Sequence, residues 1–216
     1  MKKINWQYSF GEILIVIIGI TIAFSMNKCA QDAKDHQQKN QYLTNIKNDV
    51  TSDKLQLEKN NEEINEKLKL TREIIPLLAT DSPEKMQIIG KIFKVANVTN
   101  FTPNNITYQT LINSGDFKLI DDFDLKKAIE SHYASYDIMF KDYERQETIH
   151  KEYLGPYFVN NADYDAMRRG QFAFSNEKLL KNIMQSMNGS FMFKQKATEK
   201  AINSCDSLLR VLEKFN

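Results

Sequence analysis

Few residues in this 216-residue chain have the types and spacing that chemistry requires. Glu147-Thr-Ile-His150 is a Glu-x-x-His run on an expected helix, which is half of a carboxylate-bridged di-metal site. Such a site needs a second pair on another helix and two further glutamates. No second copy occurs, so the run is read as a solvated charged face. His36, His132 and His150 are the only histidines. No serine or cysteine has an activating neighbourhood, and there is no glycine-rich phosphate loop or Walker-type lysine. No catalytic, metal-binding or cofactor-binding residue is therefore expected, and the chain is read as a non-enzyme. Arg168-Arg169 could meet an anionic group but reads as an ordinary exposed pair. Cys29 and Cys205 match no zinc pattern. They could form a disulfide tying the last helix to the first, or be two small apolar fillers that never meet; the second reading is preferred.

The residues that must position anything begin with Trp6–Asn27, WQYSFGEILIVIIGITIAFSMN. Ile13–Phe24 carries no charge, Trp6 and Tyr8 suit an interface before it, and Asn27, Lys28 and Gln31 return the chain to water. From Trp6 to Met26 a helix covers roughly 30 Å, the thickness of a hydrocarbon core. The stretch is read as an uncleaved transmembrane anchor over residues 1–27. The rival is a cleaved secretory signal, with Met1-Lys2-Lys3 as basic start and Ala23-Phe24-Ser25 as cleavage site. Gly11, Ile15, Gly19 and Ala23 recur at steps of four, a small-residue face that permits close helix approach. Glu12 beside it either snorkels to the headgroups or faces a partner helix. These five residues are the expected partner face, for a membrane or periplasmic protein or for a second copy of the chain. Lysines flank the apolar run on both sides, so charge does not fix its orientation. The short start favours a bundle exported from the cytoplasm, and a bacterial inner membrane is the expected location.

Residues 28–216 form the expected extramembrane helical domain. Seven glycines and four prolines point to long helices and an all-α fold. A net charge of +1 and a preference for lysine over arginine argue against a nucleic-acid surface. A stalk helix is expected over residues 28–79. Leu43, Val50, Leu57, Ile64, Thr71 and Leu78 recur every seven residues, and Ile46, Asp53, Asn60, Lys67 and Ile74 fill the companion position. That seam is too polar for a strong isolated coiled coil, so it should pack on helices of its own chain. Pro76 should kink or stop it.

Further helices are expected at about 83–96, with Ser82 as cap and Pro83 first, and at 106–113, with Gly115 suited to the left-handed residue beyond. Others follow at 121–154 and 176–215. The asparagine-rich stretch Asn97–Asn105 reads as a connection, Gly155-Pro156 as a helix break, and Gly189 as a weak point in the last helix. The row Leu125, Ile129, Tyr133, Tyr136, Phe140, Tyr143 and Tyr153 could line a ligand cleft, but at helical spacing it reads as core. The Asn-x-Ser/Thr triplets at Asn97, Asn100, Asn105 and Asn188 are read as composition.

GEILIVIIGITIAFSMN, followed by a charged asparagine-rich helix, resembles the opening of a family of small single-pass membrane proteins of unknown function from Bacteroidota, chiefly flavobacteria. Thr107-Tyr108, Leu111, Ser114-Gly115, Leu119-Ile120 and Leu125, closing on His132-Tyr133, resemble that family's internal TY..L..SG...LI segment. The family usually carries tryptophan where this chain has Cys29, so a disulfide there would not be a family trait. The resemblance implies a bacterial membrane protein with a helical domain and brings no activity. Two functional expectations follow: a membrane-tethered interaction or scaffold protein, and, as the alternative, a ligand-binding sensor acting through a separate signalling partner.

Overall fold

The computed structural model describes residues 6–81 and 83–215. Lys2, Lys3 and the proposed cap Ser82 lie outside them. The described residues are helical apart from turns and connections. The only strand-like pairing among them is one isolated bridge, Ala162 with Phe174.

Helix α1 runs unbroken from Trp6 to Leu77, about 108 Å at 1.5 Å per residue. Its glycines, Gly11 and Gly19, fall only in the apolar stretch, and Pro76 ends it one residue later. A 3₁₀ turn, Pro83–Ile88, leads into α2, Ile89–Ala96. The extended segment 97–105 follows, then α3, Ile106–Asn113. Gly115 takes the left-handed conformation expected of it, φ 75°, before the 3₁₀ turn Asp116–Leu119. Helix α4, Phe123–Ile149, starts where the Asp122 side chain accepts from Leu125 N.

Gly155-Pro156 does not break this helix, contrary to the sequence reading. A π turn, His150–Leu154, widens the backbone, and α5, Gly155–Asn161, continues beyond it with proline in its first turn. The missing proline N–H falls where an α-helix has an unsatisfied donor anyway. Helix α6, Tyr164–Arg168, is capped by Asp163. Helix α7, Glu177–Leu212, runs straight through Gly189.

α7 lies between α1 and α4 and packs on both. The heptad series is buried throughout: Leu43, Val50, Leu57, Ile64 and Thr71 of α1 and Leu78 just beyond its end. Two apolar cores result. The first joins Leu43, Ile46, Val50 and Leu57 to Ile129 and Tyr136 of α4 and Leu208 of α7. The second joins Ile64, Ile74 and Leu78 to Ile92, Leu154 and the Leu180–Phe191 part of α7. Tyr133, Tyr136 and Tyr143 are core residues, as their spacing suggests, whereas Tyr153 is exposed.

The first half of α1 has no such covering. Phe10, Ile13, Leu14, Ile15, Val16, Ile17, Ile18, Ile20, Ile22, Phe24 and Met26 are all exposed. This part of α1 is long and apolar enough to cross a membrane, and none of it is buried within the chain.

Candidate functional site

The distinctive site of the bundle lies where its two cores meet, around the extended segment 97–105. Exposure alternates along that segment: Thr99 and Phe101 are buried, Asn100 and Thr102 exposed. This is the two-residue period of a strand, without a sheet to join. Its polar backbone must be satisfied by something other than a neighbouring strand. The companion position of the α1 heptad supplies the partners.

Asp53 accepts from Asn104 N at 2.9 Å and Asn104 Nδ2 at 2.7 Å. One heptad on, Asn60 Nδ2 donates to Asn100 O at 2.9 Å. A further heptad on, Lys67 Nζ donates to Asn97 O and to Thr99 Oγ1, both at 2.6 Å. The segment therefore runs antiparallel to α1. The two lengths agree: fourteen helical steps rise about 21 Å, and seven extended steps span about 23 Å. We call this segment the strap.

α4 and α7 hold the other side. Gln146 Nε2 donates to Asn97 O at 3.0 Å, and Lys194 Nζ donates to Thr99 O at 2.6 Å. Lys194 Nζ also donates to Gln146 Oε1 and sits 4.1 Å from the centre of the Tyr143 ring. Phe101 meets Tyr136 edge-on, with ring centres 5.2 Å apart. Strap and long side chains thus fill the space between α1 and α4.

Burial dominates the electrostatics. It raises the pKa of Asp53 against the pull of the Asn104 and Tyr136 hydrogen bonds. It lowers that of Lys67 despite the ion pair with Glu63 at 2.6 Å. Lys194 falls to about 7, by burial first and then by the charge of Lys67. Nearer the first core, Tyr136 Oη donates to Asp53 at 3.0 Å and contacts Cys205 Sγ at 3.6 Å. Burial lifts the Cys205 thiol to about 11, so it is not an activated nucleophile. His132, bonded to Ser204 through Nδ1 at 3.0 Å, is lowered by burial to about 4 and is neutral at pH 7.

The residues singled out from sequence fall elsewhere. Gly11, Glu12, Ile15, Gly19 and Ala23 are all exposed on the uncovered part of α1. A β-carbon at Gly11 or Gly19 would meet nothing within 4 Å. Cys29 is exposed, Cys205 is buried, and both are free thiols. Cys205 packs at the level of Asp53, twenty-four residues beyond Cys29 on the same straight helix. That separates the thiols by about 36 Å, against the roughly 7 Å a disulfide allows. The disulfide weighed from sequence is therefore ruled out within one chain.

Glu147 is exposed and His150 half-buried. Among the described residues no group of three or more His, Cys, Asp or Glu is placed to hold a metal ion. Arg168 pairs with Asp165 of its own helix at 2.6 Å. Asn97, Asn100 and Asn105 belong to the strap, and Asn188 accepts from Thr71 at 2.8 Å.

Sequence reasoning missed the strap and its anchors, Lys194 and Gln146 above all. Asp53, Asn60 and Lys67 were visible as polar intrusions in a buried seam, but they read as weaknesses. The alternation through Thr99 and Phe101 was the available signal.

The class defined by these features is an all-α bundle built on one long helix whose first part is apolar and uncovered. The chain belongs to DUF6090, a family of unknown function whose model matches residues 12–152. That range takes in nearly all of the first resembling block and all of the second, and it covers most of α1, the strap and all of α4. No curated protein and no solved structure matches the chain.

Proposed function

We propose that the protein is a membrane-tethered, non-enzymatic interaction or scaffold protein of a bacterial cell envelope. It crosses the inner membrane once through the start of α1 and holds its helical bundle on the far side from the cytoplasm. The observation that carries this reading is the contrast along one unbroken helix: eleven large apolar side chains between Phe10 and Met26 lie exposed, then the same helix enters a bundle core. An exposed apolar surface of that extent is not stable in water, whereas a bilayer covers it. The face of Gly11, Glu12, Ile15, Gly19 and Ala23 is where a partner helix would approach.

Two measurements test the reading. Carbonate-washed membranes should retain the protein, and release into the soluble fraction would overturn the tether. Affinity purification from gently solubilised membranes should recover a partner or a second copy, and Gly19→Leu or Glu12→Leu should reduce that recovery while insertion persists. Recovery of a lone monomer for the unaltered protein would overturn the scaffold role.

A second reading, the ligand-binding sensor, draws support from a groove of about 530 Å³ between α4 and α7. Gly189 leaves it open, Lys141 and Ser186 line it, and Arg145 lies 5.0 Å over the Phe193 ring at its edge. A thermal-shift screen with small anionic metabolites discriminates: stabilisation that is lost in Arg145→Ala favours the sensor, and its absence at saturating ligand counts against it.

A further inference from the structure

Lys194 is fully buried at the crossing of α7 and the strap. Among the described residues no carboxylate lies within ion-pair distance of it, because Glu63 is taken by Lys67. The two lysines converge on one strap residue: Lys194 holds the carbonyl of Thr99 and Lys67 holds its hydroxyl. Around Lys194 the charged groups are Lys67 and Glu63 from α1 and Glu147 from α4. Tyr143 of α4, against which Lys194 packs, stays protonated because burial raises its pKa. The strap brings no ionisable side chain.

We propose that this layer is a proton-linked latch on the strap, closed while Lys194 is a neutral amine and loosened when Lys194 takes up a proton. A neutral amine has two N–H donors, and Lys194 has two oxygen acceptors, Thr99 O and Gln146 Oε1. Both hydrogen bonds survive deprotonation, so only the uncompensated buried charge is lost. That charge is the unfavourable element, since burying an unpaired ammonium is costly.

The sign follows from linkage. In the closed state Lys194 titrates at about 7; with the strap open and water admitted it returns towards its ordinary 10.5. Between those values the open state binds more protons, so closing becomes more favourable as pH rises. Full return to the ordinary value makes the open fraction about 30-fold larger at about pH 6 than at about pH 8.5. Opening would uncover Phe101 and withdraw the strap from between α1 and α4.

The test is hydrogen–deuterium exchange of peptides covering residues 97–105 in the full-length protein in detergent micelles, corrected for intrinsic exchange at each pH. Wild type should show opening that rises about 30-fold from pH 8.5 to 6, while Lys194→Met should be flat. A flat wild-type profile, or a Lys194→Met profile with the wild-type slope, overturns the latch. Should Lys194→Met fail to fold, Glu147→Gln serves, because Glu147 is exposed and raises the Lys194 pKa. Its removal should move the midpoint to lower pH, and an unmoved midpoint overturns the assignment to Lys194.

Discussion

The two parts of α1 invert each other. Between Phe10 and Met26 the large apolar side chains are every one exposed; between Leu43 and Leu78 the inward face carries Asp53, Asn60, Lys67 and Thr71, all buried. One continuous helix cannot owe this to local conformation, because the backbone is the same in both. The difference lies in what surrounds it. The first part has no protein partner and needs an apolar surrounding. The second is covered by helices and a strap; Asp53, Asn60 and Lys67 satisfy the strap's backbone, and Thr71 bonds Asn188 of α7. Polarity along α1 reports the neighbour, not the depth of burial.

The contrast breaks hardest where charge enters the first part. Ile17→Arg with Ile18→Arg should cost about 5–7 kcal/mol of insertion, at about 3 kcal/mol per arginine near a span centre, and move the protein out of carbonate-washed membranes. Retention there would remove the bilayer from the account of residues 10–26.

In the second part the same logic predicts that deleting charge is harmful. Lys67→Ala takes from Asn97 O and from Glu63 one of their two donors and from Thr99 Oγ1 its donor, and should destabilise the bundle by about 3–4 kcal/mol in urea unfolding. A loss under about 1 kcal/mol would mean that the strap is held mainly by Phe101 packing.

The pH dependence of the buried half should come next in size. The His132 pKa is lowered from 6.5 to about 4 in the folded state. The unfolded chain therefore binds a proton first, and stability falls as pH drops through this window, by about 3 kcal/mol in all. His132→Gln should flatten the urea midpoint over the same range; an unchanged slope would assign the loss to carboxylates instead.

Smallest is Asn60→Leu. Asn100 is exposed, so its carbonyl can turn to water, and the expected cost is about 1 kcal/mol. A cost above about 3 kcal/mol would show the carbonyl to be trapped.

Much of this arrangement was legible in the residues. The apolar run, the heptad series from Leu43 to Leu78, Tyr133, Tyr136 and Tyr143 as core and the left-handed Gly115 all follow from local periodicity or backbone preference, and the structure has them; Tyr153, read with that row, is exposed. The polar companion series did not yield its meaning. Its partner lies 30 to 51 residues away along the chain, and no helical or strand period connects the two. The π turn at His150–Leu154 was hidden for another reason. Gly155-Pro156 is a break signal in isolation, and only packing of Leu154 and Tyr157 into the second core keeps the chain helical through it. Lys194 could not be told from the many surface lysines, since a lysine on a long helix is usually solvated.

The unbroken course of α1 also makes the molecule a problem of angular phase. Between Asn27 and Gln37 the helix stands almost free, before Gln38 and Tyr42 bond Asp116, with no joint to absorb a turn. Each residue added or removed there would swing the whole bundle by about 100° around the helix axis and shift it by about 1.5 Å. A one-residue insertion would point the strap a quarter-turn or more away from its former neighbour. Seven would return it to within about 20°, at a greater height. Any partner that must touch both the small-residue face of α1 and the bundle would read that spacing as a dial.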